Sequence, residues 1–63
     1  MNYLKGNMIL ISMGFDVNQI ESITYNDTSD IVTFYYKDDT LWQVDLENKK
    51  QRCMNNGAWT DWV

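Results

Sequence analysis

Residues 31–46 have the sequence IVTFYYKDDTLWQVDL, and this stretch decides the fold. Its first part is rich in β-branched and aromatic residues, which favour strands. The polar tetrapeptide 37–40 can form a tight turn, and apolar residues resume at 41–46. The stretch therefore predicts a β-hairpin with strands at 31–37 and 41–46.

Each predicted strand has two faces, because alternate residues of a strand point to opposite sides. In the first strand both faces are largely apolar, with Val32, Phe34 and Tyr36 on one and Ile31, Thr33 and Tyr35 on the other. In the second strand an apolar face lies opposite a half-polar one, namely Trp42, Val44 and Leu46 against Leu41, Gln43 and Asp45. We expect Phe34 and Trp42 in the core, and a second aromatic face that needs its own cover.

The residues on either side of the hairpin predict further strands. The segments are a strand at about 20–25, a turn at 26–30, a turn at 47–49 and a strand at 51–54. Asn56 and Gly57 form the pair that best marks a two-residue hairpin turn. A last strand is therefore predicted at 58–63.

The N-terminal residues 3–13 carry a dense apolar set. Leu4, Met8 and Ile11 fall at i, i+4 and i+7, which favours a short buried helix. The turn-forming residues 5–7 favour a hairpin instead. The helix is the prediction, and the hairpin is its alternative.

These elements predict an α+β protein in which a short N-terminal helix packs on an antiparallel β-meander of three to five strands. An all-β arrangement is the alternative. Asp16 stands three residues before Gln19, so a cap-like turn is expected ahead of the first strand. Residues 1–63 are expected to form one complete domain, because a chain this short buries only about 60% of its unfolded surface.

The chain contains one cysteine, Cys53, and no histidine, so neither an internal disulfide nor a Cys/His zinc site can form. We expect no cofactor and no metal, and we interpret Cys53 as a packing residue. Small domains are commonly stabilised by disulfides, by metals or by association. A homodimer is therefore expected, and the alternative is a monomer whose terminal segments wrap both faces of the sheet.

Catalysis is not expected, because nucleophile-plus-base chemistry needs a base with a pKa near neutrality, usually histidine. Asp38 and Asp39 are adjacent in a turn and would point apart, unlike the paired carboxylates of a glycosidase. The oxygen-rich loop 26–30 lacks the spacing of a calcium loop and is interpreted as a solvated turn.

The expected location is the cytoplasm. The apolar run 8–11 that follows Lys5 is short for a secretory signal, and no small-x-small cleavage site comes after it. No stretch approaches the roughly 18 apolar residues of a membrane span.

Charge is distributed unevenly along the chain. Residues 16–47 hold eight acidic residues against Lys37 alone, a net charge of −7, whereas the flanks sum to +3 and the whole chain to −4. A negative field attracts basic protein surfaces and repels nucleic acid. Another protein with a basic surface is therefore the expected partner.

Six residues are candidates for contact with that partner. They are three carboxylates and three aromatic residues: Asp38, Asp39, Asp45, Tyr35, Trp59 and Trp62. Trp59 and Trp62 stand three apart, so regular strand alternation would put them on opposite faces. We expect one of them in the core and the other available as an interface anchor.

In size and acidic composition over its whole length, the chain resembles the small anti-defence proteins of phages, such as anti-CRISPR and Hachiman-inhibitor proteins. The resemblance implies a viral protein that acts in the host cytoplasm by inhibiting a bacterial defence complex. Two alternatives are a structural or assembly subunit and a single-stranded nucleic-acid-binding module. The module would use stacking aromatics and a basic rim, namely Tyr35, Tyr36 and Trp42 with Lys49, Lys50 and Arg52.

Overall fold

One helix and one sheet make up the part of the chain that the computed structural model describes, residues 3–26 and 28–63. The elements are helix α1 (Tyr3–Ser12), a 3₁₀-helix (Val17–Gln19) and strands β1 (Ile20–Tyr25), β2 (Ile31–Tyr36), β3 (Leu41–Asp45), β4 (Lys50–Asn55) and β5 (Ala58–Trp59). The strands form an antiparallel sheet in the order β1-β2-β3-β4-β5. The predicted helix and antiparallel sheet are confirmed, and the sheet dominates. Asp27, in the predicted turn 26–30, lies outside the described residues.

The turns between the strands have the backbone conformations that their residues favour. Asn56 and Gly57 both have positive φ, 53° and 80°, as a type I′ hairpin turn requires. Asp39, between β2 and β3, has φ 68° and lies in the left-handed region that aspartate enters more readily than most residues. The hairpin predicted from residues 31–46 and the turn at Asn56 are confirmed.

The core lies between α1 and one face of the sheet. Its buried side chains are Leu10, Phe15, Val32, Phe34, Val44 and Leu46. Phe34 lies opposite Trp42 in the sheet, and the Phe15 ring meets both rings edge to face, with centroids 5.3 and 5.5 Å away. The prediction for Phe34 is confirmed, whereas Trp42 packs against the core but stays partly exposed. Phe15 is a core residue that the sequence analysis missed.

Helix α1 buries a different side from the one predicted. Leu10 is fully buried, and Gly6, one turn earlier, is buried where an added β-carbon would come within 2.7 Å of Tyr25 Cε1. The missing side chain therefore leaves room for the Tyr25 ring against α1. The exposed large apolar residues of α1 are the three that were predicted to be buried, Leu4, Met8 and Ile11. That expectation is wrong, because Gly6 and Leu10 form the packing side.

The loop after α1 contains the predicted cap. Asp16 Oδ1 accepts a hydrogen bond of 3.0 Å from the Asn18 N–H at the start of the 3₁₀-helix. The Asp16 N–H donates to the Tyr36 hydroxyl oxygen at 3.2 Å. The cap-like turn is confirmed, and it ties this loop to the end of β2.

The C-terminal segment contains a β-bulge. Trp59 lies opposite Met54 on β4. Farther on, Val63 exchanges both backbone hydrogen bonds with Gln51, at 3.1 and 2.9 Å. Three residues of this segment therefore oppose two of β4, which is the count of a bulge. The extra residue reverses the alternation, so Trp59 and Trp62 share a face and the expectation of opposite faces is wrong.

Candidate functional site

The sheet face that points away from the core is called the open face. It carries the other alternate residues of the strands: Ser22 and Thr24 from β1, Ile31, Thr33 and Tyr35 from β2, Leu41, Gln43 and Asp45 from β3, and Lys50, Arg52 and Met54 from β4. No helix of the described residues packs on this face. Of the two sheet faces, the open face is therefore the one that a partner can reach.

A row of polar side chains crosses the middle of the open face. Thr24, Thr33, Gln43 and Arg52 lie directly opposite one another on successive strands. The Gln43 amide Nε2 donates to Thr33 Oγ1 at 3.1 Å. Gln43 Oε1 accepts from Arg52 Nε at 2.8 Å and from Arg52 Nη2 at 2.6 Å. The row is thus a connected network rather than a set of free polar groups.

Arg52 also fixes the two C-terminal tryptophans. Its guanidinium carbon lies 5.0 Å from the ring centroid of Trp59 and 4.4 Å from that of Trp62. Both distances are in the range of cation–π contacts. Because the bulge puts both rings on the side of Arg52, neither tryptophan is a freely presented anchor, and both are half-buried.

Replacing Arg52 by lysine tests the contacts that Arg52 makes with Gln43 and with the two tryptophans. Lysine keeps the charge but cannot form the forked contact with Gln43 or lie flat against two rings. We expect Arg52→Lys to lower the free energy of unfolding by about 1–2 kcal/mol. Tryptophan fluorescence should shift to longer wavelength. Lys50→Arg, at a nearby exposed position of β4, is the control and should leave the free energy of unfolding and the fluorescence unchanged. If Arg52→Lys also changes neither, Arg52 does not hold the two tryptophans in place.

Tyr35 is the aromatic residue that the open face leaves most accessible. Its side chain is 46% exposed. It lies opposite Ser22 on one side and Leu41 on the other, so it stands at the end of the sheet where β2 turns into β3. We call Tyr35, Leu41, Asp38 and Asp39 the turn end.

Asp38 holds the turn between β2 and β3 in shape. One carboxylate oxygen, Oδ1, accepts from the Thr40 N–H at 3.0 Å and from the Thr40 hydroxyl at 2.6 Å. Thr40 Oγ1 in turn accepts from the Trp42 indole N–H at 3.1 Å. The hydrogen bonds from the side chain and backbone of Thr40 lower the pKa of Asp38 below its ordinary 3.8.

Asp45 has the same role in the turn between β3 and β4. Its carboxylate accepts from the backbone N–H groups of Glu47 and Asn48, at 3.1 and 3.2 Å, and from Asn48 Nδ2 at 2.8 Å. The bonds from Asn48, then the bond from Glu47 and the charge of Lys50 opposite, lower the pKa of Asp45 below 3.8. Asp45 is thus a turn residue whose charge has a nearby counter-charge.

The structure does not bring the three candidate carboxylates together. Asp38 and Asp39 lie before β3 and Asp45 is its last residue. A strand of this length spans about 16 Å. Only Asp38 and Asp39 adjoin the exposed Tyr35, so the turn end is the coherent part of the expected site. Leu41 is the member that the sequence analysis did not select.

Acidification tests the two turn carboxylates. The folded chain lowers the pKa of Asp38 and Asp45 below 3.8, so the unfolded chain takes up these protons first as the pH falls. Their stabilisation is complete well above pH 3.8 and is lost below it. We expect a urea midpoint that is steady from about pH 7 to about pH 5 and declines below about pH 4.

Asp38→Asn should reduce the fall of the urea midpoint at low pH, because the amide has no charge to lose. Asp39→Asn is the matched control: the Asp39 carboxylate has no hydrogen-bond partner among the described residues, and asparagine tolerates its positive φ. A decline unchanged in Asp38→Asn would contradict this origin of the acid sensitivity.

The class that the fold defines is a small protein with one helix on an antiparallel five-stranded sheet. In the described ranges, no helix is long and apolar enough to cross a membrane. Comparisons with protein-family models, with curated proteins and with solved structures found no match.

Proposed function

We propose that the chain is a small acidic protein-binding module that docks through the turn end onto a basic surface of another protein. The observation that carries this proposal is the exposure of Tyr35, 46% in a domain whose other sheet aromatics are at least half-buried. Exposed tyrosines are frequent anchors of protein interfaces, because they bring apolar area and a hydroxyl at small entropic cost.

The charge beside the anchor supports a basic partner. Asp38 and Asp39 are exposed in the turn that follows β2, three and four residues after Tyr35. Acidic groups at the rim of an interface speed association with a basic surface. The net charge of −4 acts in the same direction at longer range.

Inhibition of a bacterial defence complex is the form of this function that the resemblance to phage anti-defence proteins implies. Such complexes handle nucleic acid in basic grooves, and an acidic module that covers a groove would compete with the phosphate backbone. Under this proposal Tyr35 is the anchor, Asp38 and Asp39 steer the approach, and the protein works in the cytoplasm of an infected cell.

The experiment begins with affinity capture from bacterial lysate and identification of the bound protein by mass spectrometry. Binding of the purified partner is then measured at two salt concentrations. Tyr35→Ser should weaken the equilibrium affinity by about 10-fold to 50-fold, as loss of an interface anchor does. Asp39→Asn should mainly slow association, by a few-fold, and more at low salt.

Glu47→Gln is the matched control, because it removes one exposed negative charge in the turn at the opposite end of the sheet. It should leave the affinity and its salt dependence unchanged. If Glu47→Gln slows association as much as Asp39→Asn does, net charge alone attracts the partner. If Tyr35→Ser and Asp39→Asn bind like wild type, the turn end is not the interface.

Single-stranded nucleic acid is the competing partner, and the placement of the aromatics argues against it. Tyr36 and Trp42 pack with Phe15 on the core side of the sheet, with ring centroids 6.3 and 5.5 Å away, whereas Tyr35 is on the open face. Stacking successive bases needs rings on a common surface. Fluorescence polarisation with a labelled oligonucleotide tests this, and binding with a steep salt dependence would overturn our order of preference.

A further inference from the structure

A polar groove with a volume of about 560 Å³ lies on the open face, and the polar row that crosses this face forms part of its lining. Thr28 and Ser29, from the turn between β1 and β2, line it as well. Arg52 is the only charged residue among the described residues of the lining. Within the described chain, no residue of the turn end belongs to the groove. The groove is therefore a separate surface feature, and it is large enough for a small organic molecule.

The side-chain hydrogen bonds of the row all run in one direction. Arginine carries only donors, so the oxygen of the Gln43 amide faces Arg52 and the amide nitrogen faces Thr33. Thr33 Oγ1 accepts the bond from Gln43, so the Thr33 hydroxyl still has its own proton to donate. Gln43 Nε2 carries two N–H groups and uses one of them in the row, so it also keeps a donor. The row therefore presents free donors, whereas the Gln43 oxygen already accepts two bonds.

Arg52 supplies the positive charge and most of the free donors. A guanidinium has five N–H groups, and the two bonds to Gln43 leave three of them. Among the described residues, the polar and ring contacts of Arg52 are those with Gln43, Trp59 and Trp62, none of which is a carboxylate. The cation–π contacts hold the guanidinium in place without removing its charge. Within this part of the chain, Arg52 is thus a fixed cation that lacks a counter-charge.

A phosphoryl group matches these donors better than a carboxylate does. The free donors belong to three neighbouring strands: the hydroxyl of Thr33 on β2, the amide of Gln43 on β3 and the guanidinium of Arg52 on β4. A phosphoryl group has three strongly accepting oxygens, one for each strand, whereas a carboxylate has two. The guanidinium also binds phosphate through paired hydrogen bonds. The part of the groove beside Thr28 and Ser29 leaves space for the organic part of a phosphate ester.

We propose that this groove binds the phosphoryl group of a small phosphate monoester, with Arg52 as the charged donor and Gln43 and Thr33 as neutral donors. Thr24, opposite Thr33 on β1, adds a hydroxyl on the side of the ester. The net charge of −4 opposes anions at long range, so binding depends on these directed contacts at short range. The site does not depend on the protein partner proposed above.

Titration of the isotope-labelled full chain with glycerol phosphate, followed by NMR, tests the proposal. At about pH 7.5 the phosphate is mostly a dianion. At constant ionic strength the side-chain N–H signals of Arg52 and Gln43 should shift together, with a dissociation constant on the order of 1 mM or below. Inorganic phosphate should bind a few-fold more weakly, because it lacks the organic part. Glycerol alone should cause no shift, and acetate should bind at least about fivefold more weakly than glycerol phosphate.

Three variants locate the site. Arg52→Gln removes the charge and should weaken binding more than about tenfold. Lys50→Gln is the matched control, because it makes the same change of net charge on the same strand and face but outside the described lining, and it should change the dissociation constant less than about twofold. Thr33→Val keeps the shape of the side chain without its hydroxyl and should weaken binding by about threefold to fivefold. Circular dichroism establishes that each variant is folded, and Thr33→Val keeps the test decisive if Arg52→Gln is not.

Three results would overturn the proposal. Equal losses in Arg52→Gln and Lys50→Gln would mean that net charge alone attracts the anion. Equal affinity for acetate and glycerol phosphate would exclude the phosphoryl group as the recognised feature. Wild type without a saturable shift of the Arg52 and Gln43 signals would mean that the groove is not a phosphate site.

Discussion

Phe34→Ala is expected to lower the free energy of unfolding by about 3–5 kcal/mol, which is most of the stability that a domain of this size has. Phe34 is 1% exposed at the centre of the core and is in edge-to-face contact with Phe15 and Tyr36, with ring centroids 5.3 and 5.6 Å away. Its removal leaves a cavity that rigid strands cannot close. Urea denaturation followed by circular dichroism measures the loss.

The neighbouring residue Tyr35 provides the control. It occupies the same strand but points to the open face, so Tyr35→Ala should cost no more than about 1 kcal/mol. A folded Phe34→Ala protein with nearly wild-type stability would show that the two faces of β2 are assigned the wrong way round.

Leu10→Ala is expected to lower the free energy of unfolding by about 2–5 kcal/mol, because the Leu10 side chain of α1 is completely buried in the core. Much of the stability of so short a helix comes from this packing, since an isolated helix of ten residues is marginal in water. The helical signal in circular dichroism should therefore fall along with the urea midpoint.

Leu4→Ala is the matched control in the same helix, with the same chemical change at a residue that is 70% exposed. It should alter stability by less than about 0.5 kcal/mol. Equal losses for the two leucines would contradict the orientation of α1.

Local chemistry was enough to predict strands β1 to β4 and the turns between the strands, whereas the last strand, predicted at 58–63, is only Ala58–Trp59. The β-branched and aromatic run of β2, the polar residues after it and the Asn56–Gly57 pair each favour one backbone conformation, and the structure has those conformations. Asp16 likewise could be identified as a cap from its own spacing. These features need no information about distant residues.

The orientation of α1 could not be predicted, because the helix is apolar on more than one side. Its packing side depends on Gly6 lying against Tyr25, a contact between residues that are far apart in the sequence. A glycine inside a helix is usually a destabilising residue, and only the position of β1 shows why it fits here.

The site was partly predictable, and its missing part depends on register. Tyr35 and the adjacent acidic residues could be predicted from the alternation of side chains along the strand. The pairing of Tyr35 with Leu41, and that of Gln43 with Arg52, depends on the register between neighbouring strands. Trp59 and Trp62 were predicted on opposite faces for a related reason, because the single extra residue in the bulge moves the side chains after it to the other face of the sheet. Nothing in the local sequence signals that insertion.

The same bulge has a consequence for growth of the sheet beyond one molecule. Sheets polymerise when the edge strand of one molecule pairs with the edge strand of the next. This chain contains no proline, so no proline interrupts such pairing. Here the segment after Trp59 contains one extra residue relative to β4 before Val63 pairs with Gln51, so its register shifts. A margin bent in this way presents no regular template. Fibre growth needs two compatible margins, so the bulge protects the chain from end-to-end polymerisation.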